Sequence, residues 1–144
     1  DFTGQTVAGA DTATAITFNT SAYSHNVSID GADASKIVFA RAGIYQLNLS
    51  AEITSTSAST VTFYFWPRIN GTDVANSTMV TTLHSNGDKK ITSRSGVFDV
   101  NAGDYLQSMF AVDSTSGSLS TTAATAFSPA SPSVTLSVAE LYVP

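Results

Sequence analysis

The sequence predicts an all-β, antiparallel fold of the sandwich or barrel kind. Helical periodicity is nearly absent, whereas apolar and polar residues alternate with period two in segment after segment. Clusters of Gly, Asn, Asp, Pro and Ser punctuate the segments about every 8 to 12 residues, which gives about nine or ten strands. At 144 residues the chain fits one domain, able to bury roughly 70% of the surface its unfolded form exposes.

Taken in order, residues 1–12 are expected as an N-terminal segment or arm. Short strands follow at "TAITFN", "NVSI" and "KIVFA". In "GIYQLNLSAEI", residues 43–53, Tyr45, Leu47, Leu49, Ala51 and Ile53 alternate with Gln46, Asn48, Ser50 and Glu52, so one face is core and the other polar. "TVTFYFWPRI" and "TDVANSTMVTTL" are joined at Asn70-Gly71, the dipeptide that most readily supplies the positive φ angles of a type I′ hairpin. "SGVFDV" and "YLQSMFAVD" flank the turn "NAGD", and "SVTLSVAELYV" is a long final strand with Val134, Leu136 and Val138 on one side. Residues 114–133 are a Ser/Thr/Pro-rich stretch expected as a long surface loop, because Pro129 and Pro132 keep most of its end out of a central strand. A short extra strand at "TTAATAF" is the alternative.

The segment 60–69 poses a question of its own. Val61, Phe63 and Phe65 point one way and Tyr64, Trp66 and Arg68 the other, so both faces carry large apolar groups. A second sheet covers only one of them. The other meets a partner, or tolerates water because Tyr and Trp join an apolar body to a polar tip. Trp, Tyr and Arg are also the types enriched at interface hot spots, which makes these three the candidate partner contacts.

Composition excludes several classes of function. There is no cysteine, hence no disulfide and no thiolate zinc site, as suits a protein folded in a reducing compartment. Charged residues are 12% of the chain, about half the usual share, while Ser and Thr together make up roughly 28%. The net charge of −5 and the scatter of Lys36, Arg41, Arg68, Lys89, Lys90 and Arg94 leave no basic stripe for nucleic acid. No apolar run approaches the length needed to span a bilayer and no leader precedes the first strand, so no membrane partner is expected. The first residue is Asp1, not methionine, which fits a chain processed or cut from something longer.

The segments in order resemble the jelly-roll family of tumour necrosis factor and the globular head of complement component q. The carriers are Ala42-Gly43-Ile44-Tyr45, Asn70-Gly71, Ser95-Gly96-Val97-Phe98 followed by Gly103-Asp104, and the closing "VTLSVAELYV". The whole is most similar to small jelly-roll modules of tailed phages, marine and cyanobacterial ones especially, through Gln5 to Asp30, Ala42 to Ile53, Trp66 to Ser77, Asn101 to Gln107 and Pro132 to Val138. The resemblance implies a jelly-roll sandwich of two five-stranded sheets and a homotrimer whose inner sheets pack around a three-fold axis. On that layout Gln46, Asn48, Ser50, Ser137 and Ala139 face the axis, where animal members often carry aromatic or aliphatic groups.

The function implied is non-enzymatic: a trimer on the virion surface, assembled in the bacterial cytoplasm, that decorates or cements the capsid through the major capsid protein or another virion protein. The alternative is the tip of a tail or head fibre that binds a host glycan or receptor. No cofactor and no metal are expected. His25 and His84 are the only histidines, and with so many serines a Ser-His-Asp trio arises by chance. Asp88, Asp99, Asp104 and Asp113 lack EF-hand spacing and read as turn residues. Sequons at Asn19, Asn26, Asn48, Asn70 and Asn76 follow from hydroxyl richness; Asn70 is needed for its turn, and a glycan on Asn48 would block axis packing.

Overall fold

The computed structural model describes residues 1–142; Val143 and Pro144, the end of the expected domain and of its closing stretch, lie outside the described residues. The described strands are β1 (Gln5–Thr6), β2 (Thr14–Ala15), β3 (Val27–Ile29), β4 (Ile37–Phe39), β5 (Gly43–Ser55), β6 (Val61–Ile69), β7 (Thr72–Asp73), β8 (Met79–Leu83), β9 (Lys89–Val100), β10 (Tyr105–Val112), β11 (Gly117–Leu119) and β12 (Val134–Tyr142). Every pairing between them is antiparallel. They form two sheets whose facing sides share an apolar core, an all-β sandwich as the alternation predicts.

In the first sheet β5 is central. β9 pairs along it from Gly43 to Thr54 on one side. On the other side β12 covers Ile44–Ala51 and β11 covers Ile53–Ser55, with β1 added to β11. The second sheet runs β3-β4-β10-β6-β7, with β2 also on β10 and β8 also on β6. The counts are therefore five and seven strands, against the five and five that the resemblance implies. The two-residue strand β2 and the splitting of residues 72–83 into β7 and β8 account for the difference.

That split has a cause in Pro67. Its carbonyl accepts the Val74 N–H at 3.1 Å, so its missing N–H lies on the same side of β6, toward β7 and β8. A strand cannot pair continuously past a residue with no donor on that side. The chain accordingly leaves the sheet after Asp73 and returns at Met79, opposite Phe65. The Asn70-Gly71 turn is as expected: φ is 48° and 80° at its two central residues, and Ile69 pairs with Thr72 across it. The Asn70 amide nitrogen donates to Asp104 Oδ1 at 2.7 Å, and its carbonyl oxygen accepts the Tyr105 N–H at 3.0 Å. The two turns flagged in the sequence are thus tied to each other at one end of the sandwich.

Between the sheets, Ile53, Val61, Phe63, Phe65, Phe110 and Val112 are fully buried. A second cluster gathers Phe39, Tyr45, Leu47, Val100 and Leu106. Tyr45 reaches out of it with its hydroxyl, which donates to the Arg41 carbonyl at 3.1 Å, and burial pushes its pKa up. Residues 1–12 lie on the body: β1 pairs with β11, and the Asp1 nitrogen donates to the Val134 carbonyl at 2.6 Å. The 114–133 stretch is partly ordered into the sheet. Its strand forms at 117–119, ahead of "TTAATAF", where only Thr122 makes a bridge, to Ser131.

Candidate functional site

All five residues expected at an axis come to one place, the outward face of the five-stranded sheet. Side chains directly opposite one another in an antiparallel pair share a face, and the register sets Gln46 against Ala139, Asn48 against Ser137 and Ser50 against Thr135. The third strand of this face is β9, which adds Val97, Ser95, Ser93 and Ile91 opposite Gln46, Asn48, Ser50 and Glu52. Because the middle of the face carries only Asn, Ser and Thr, it is a shallow depression of about 360 Å³ lined by Asn48, Ser50, Ser93, Ser95, Thr135 and Ser137. Apolar groups stand at its ends: Ile91 is 66% exposed, Val97 59% and Tyr142 60%. The contribution of β9 was missing from the sequence reading, although "KKITSRSGVFDV" shows the needed alternation once its first half is counted as strand.

The three candidate partner contacts also share a face, outward on the seven-stranded sheet. Phe63 and Phe65 are fully buried beneath them, while Tyr64, Trp66 and Arg68 are half-buried. Asp73 organises the patch. Its Oδ1 accepts the Trp66 indole N–H at 2.7 Å and the Arg68 Nε at 2.8 Å, and these hydrogen bonds, Arg68 first, hold its carboxyl below the ordinary aspartate range. Met109, opposite Trp66, and Ala111, opposite Tyr64, are buried on this same face. The question raised by residues 60–69 has a partly internal answer: Asp73 satisfies the Trp66 indole N–H and the Arg68 Nε within the sheet. Hairpin counting could have found Asp73, since Arg68 and Asp73 are each the second residue from the Asn-Gly turn.

A third cluster went unseen in the sequence. Glu52 sits on the polar face of β5 yet is buried, 9% exposed. Its Oε1 accepts Thr122 Oγ1 at 2.8 Å, Ser120 Oγ at 3.1 Å and Lys89 Nζ at 3.1 Å, so it ties the start of the 120–132 excursion to β5 and β9. Burial alone would raise its pKa, but the hydrogen bonds from Thr122, Lys89 and Ser120 outweigh that and hold it below the ordinary glutamate value. A carboxyl depressed in the folded state contributes stability above its unfolded pKa and loses it as pH falls through the folded one. Glu52→Gln is expected to cost about 1 to 3 kcal/mol at neutral pH. Its stability should also fall less steeply than the parent's as pH drops below about 4.5, in denaturant titrations at stepped pH.

His25 and His84 lie in different loops, before β3 and after β8. Asp88 accepts the His84 and Ser85 N–H groups, Asp104 that of Asn101 and Asp113 that of Thr62, each the work of a turn or strand-end residue. Among the described residues no group of three His, Asp or Glu side chains could hold a metal ion. What the fold and its surfaces define is an antiparallel β-sandwich protein with two organised outward faces. No protein-family model matches the chain, and no curated protein matches it.

Proposed function

We propose that the chain is a non-enzymatic structural protein that forms a homotrimer through the outward face of its five-stranded sheet, and that the trimers decorate or cement the capsid of a tailed phage. The observation that carries the trimer is the meeting of Gln46, Asn48, Ser50, Ser137 and Ala139 on one face with little bulk in its centre. Small side chains let three backbones approach closely. Hydrogen bonds between hydroxyls contribute little net affinity, so the association energy comes from Ile91, Val97 and Tyr142 at the ends of the face, about 25 cal/mol for each Å² they bury. The phage assignment rests on the sequence resemblance. The Tyr64, Trp66 and Arg68 patch is the surface offered to the shell, with Asp73 fixing the indole and guanidinium before contact and so lowering the ordering cost of binding.

Sedimentation at micromolar concentration is expected to give about three times 14.9 kDa. Asn48→Arg with Ser137→Arg should reduce this to a folded monomer, since six guanidinium groups cannot share one axis. A shell ligand that binds only the assembled form stabilises it by about 2.7 kcal/mol per site at a hundredfold excess over Kd. Particles lacking the protein should therefore burst at lower temperature and adsorb to cells normally. Particles of unchanged heat resistance that fail to adsorb would instead support the fibre-tip function.

A further inference from the structure

We propose that the free edge of β12, together with the groove beside it, takes up an extended polypeptide strand that runs antiparallel to β12 and carries apolar side chains at alternate positions. The groove, about 500 Å³, lies between the edge strands of the two sheets, β12 and β3. Phe18, Val27, Ile29, Ile37, Leu136 and Val138 line it, and Tyr23, 87% exposed, stands at its rim. That volume falls within the range of ligand sites. The main chain bordering it decides what kind of ligand fits.

Two hydrogen bonds fix which way the β12 backbone faces. The Ser133 carbonyl accepts the Glu52 N–H from β5 at 2.8 Å, whereas the Val134 carbonyl, one residue on, accepts the Asp1 nitrogen on the opposite side at 2.6 Å. Main-chain groups alternate along a strand, so those of Leu136 and Val138 also face away from β5. Among the described residues no main-chain partner reaches them there. A small apolar molecule would fill the groove and leave these N–H and C=O groups unmatched, while a polypeptide strand satisfies both. Asp1 meets main-chain groups only at the start of this edge, where its carbonyl also accepts the Ser133 N–H at 2.9 Å. The added strand pairs beyond it, along Leu136 and Val138. The β3 edge is the poorer template: it has three residues, and the Ser24 hydroxyl already occupies the Val27 carbonyl.

The other edge of the same sheet sharpens the contrast. β9 carries Lys89 and Lys90 and turns Arg94 inward, the charged guards that discourage strand addition. From Val134 to Val138 β12 has no charge, no proline and no bulge; its register irregularity comes only between Glu140 and Tyr142. A matching strand needs about five residues, roughly 17 Å at the antiparallel rise. Its inward-facing residues sit opposite Leu136 and Val138, so the same residues present their N–H groups to β12.

The test uses the full chain and a fluorescein-labelled peptide of alternating Val and Thr with Lys at each end, plus two versions methylated on either all Val or all Thr nitrogens. Expected are saturable binding of the parent peptide, at least tenfold slower amide exchange at Leu136 and Val138, and at least tenfold weaker binding of the Val-methylated version, with the Thr-methylated one nearly unaffected. Val138→Pro, which removes one edge donor without touching the β5 ladder, should weaken the parent peptide similarly. Absence of saturable binding, equal binding of both methylated peptides, or a dimer of the chain that Val138→Pro dissolves would each overturn the proposal.

Discussion

Phe65→Ala is expected to cost about 3 to 5 kcal/mol of folding stability, with Phe63→Ala close behind. Both side chains are fully buried. The Phe65 ring lies 6.4 Å from that of Phe63 and 6.2 Å from that of Phe110, so removing it opens a cavity between the sheets and breaks two ring contacts. Trp66→Ala, one residue away, should cost only about 1 to 2 kcal/mol, because the indole is half-buried and loses one hydrogen bond to an exposed carboxylate. Denaturant titration of the three variants measures the difference. A Trp66 variant less stable than the Phe65 variant would mean that the strand's faces are inverted.

The assignment of those faces was legible because β6 carries its own signal: strict alternation runs into a turn whose φ angles only a few residues accept. β5 was legible for the same reason. What escaped the sequence was structure that depends on a distant partner. Lys89, Lys90 and Thr92 look like a polar link after "SNGD", yet they are strand because Thr54, Ile53 and Ala51 stand opposite them on β5. The strand expected at "TAITFN" shrinks to Thr14–Ala15, because its contact with β10 ends where the Ile16 N–H donates to the Ser108 carbonyl, and Phe18 donates instead to the Ala34 carbonyl. Pro67 gave notice of an interruption, but the strand that broke was its neighbour, between Asp73 and Met79.

The outward faces followed the same division. Alternation alone put Gln46, Asn48 and Ser50 on one face and Tyr64, Trp66 and Arg68 on another. It could not show that β9 completes the first face, or that Asp73 ties down the second. Glu52 was the least readable of all. By alternation it belongs to an exposed polar face, and only the return of residues 120–122 across that face buries it and supplies its donors. A stretch of Ser, Thr and Ala has no periodicity that would announce such a contact.

Gly117, inside that same stretch, is expected to be among the least replaceable residues in the chain. A Cβ placed there would lie 2.5 Å from Val112 Cγ1, 2.8 Å from Phe63 Cζ and 3.0 Å from Val61 Cγ1. All three neighbours are fully buried, so none can swing into solvent, and relief has to come from moving β11 off β5 or from displacing the core. Gly117→Ala should therefore cost about 1 to 3 kcal/mol and Gly117→Val more than 3, the latter a drop of roughly 10 °C in Tm for a domain of this size. Gain of an ordinary strand residue in place of glycine would act the other way by only about 0.5 to 1 kcal/mol, so the clash decides the sign. A double variant separates overpacking from a general intolerance of this loop. Val112→Ala alone leaves a cavity and costs about 2 kcal/mol or more, but it also removes the atom closest to the new Cβ. Combined with Gly117→Ala, the total should fall short of the sum of the two single losses by about 1 kcal/mol, the coupling expected of residues in direct contact. Simple additivity in a thermal or denaturant series would show that β11 does not press on the core through Gly117.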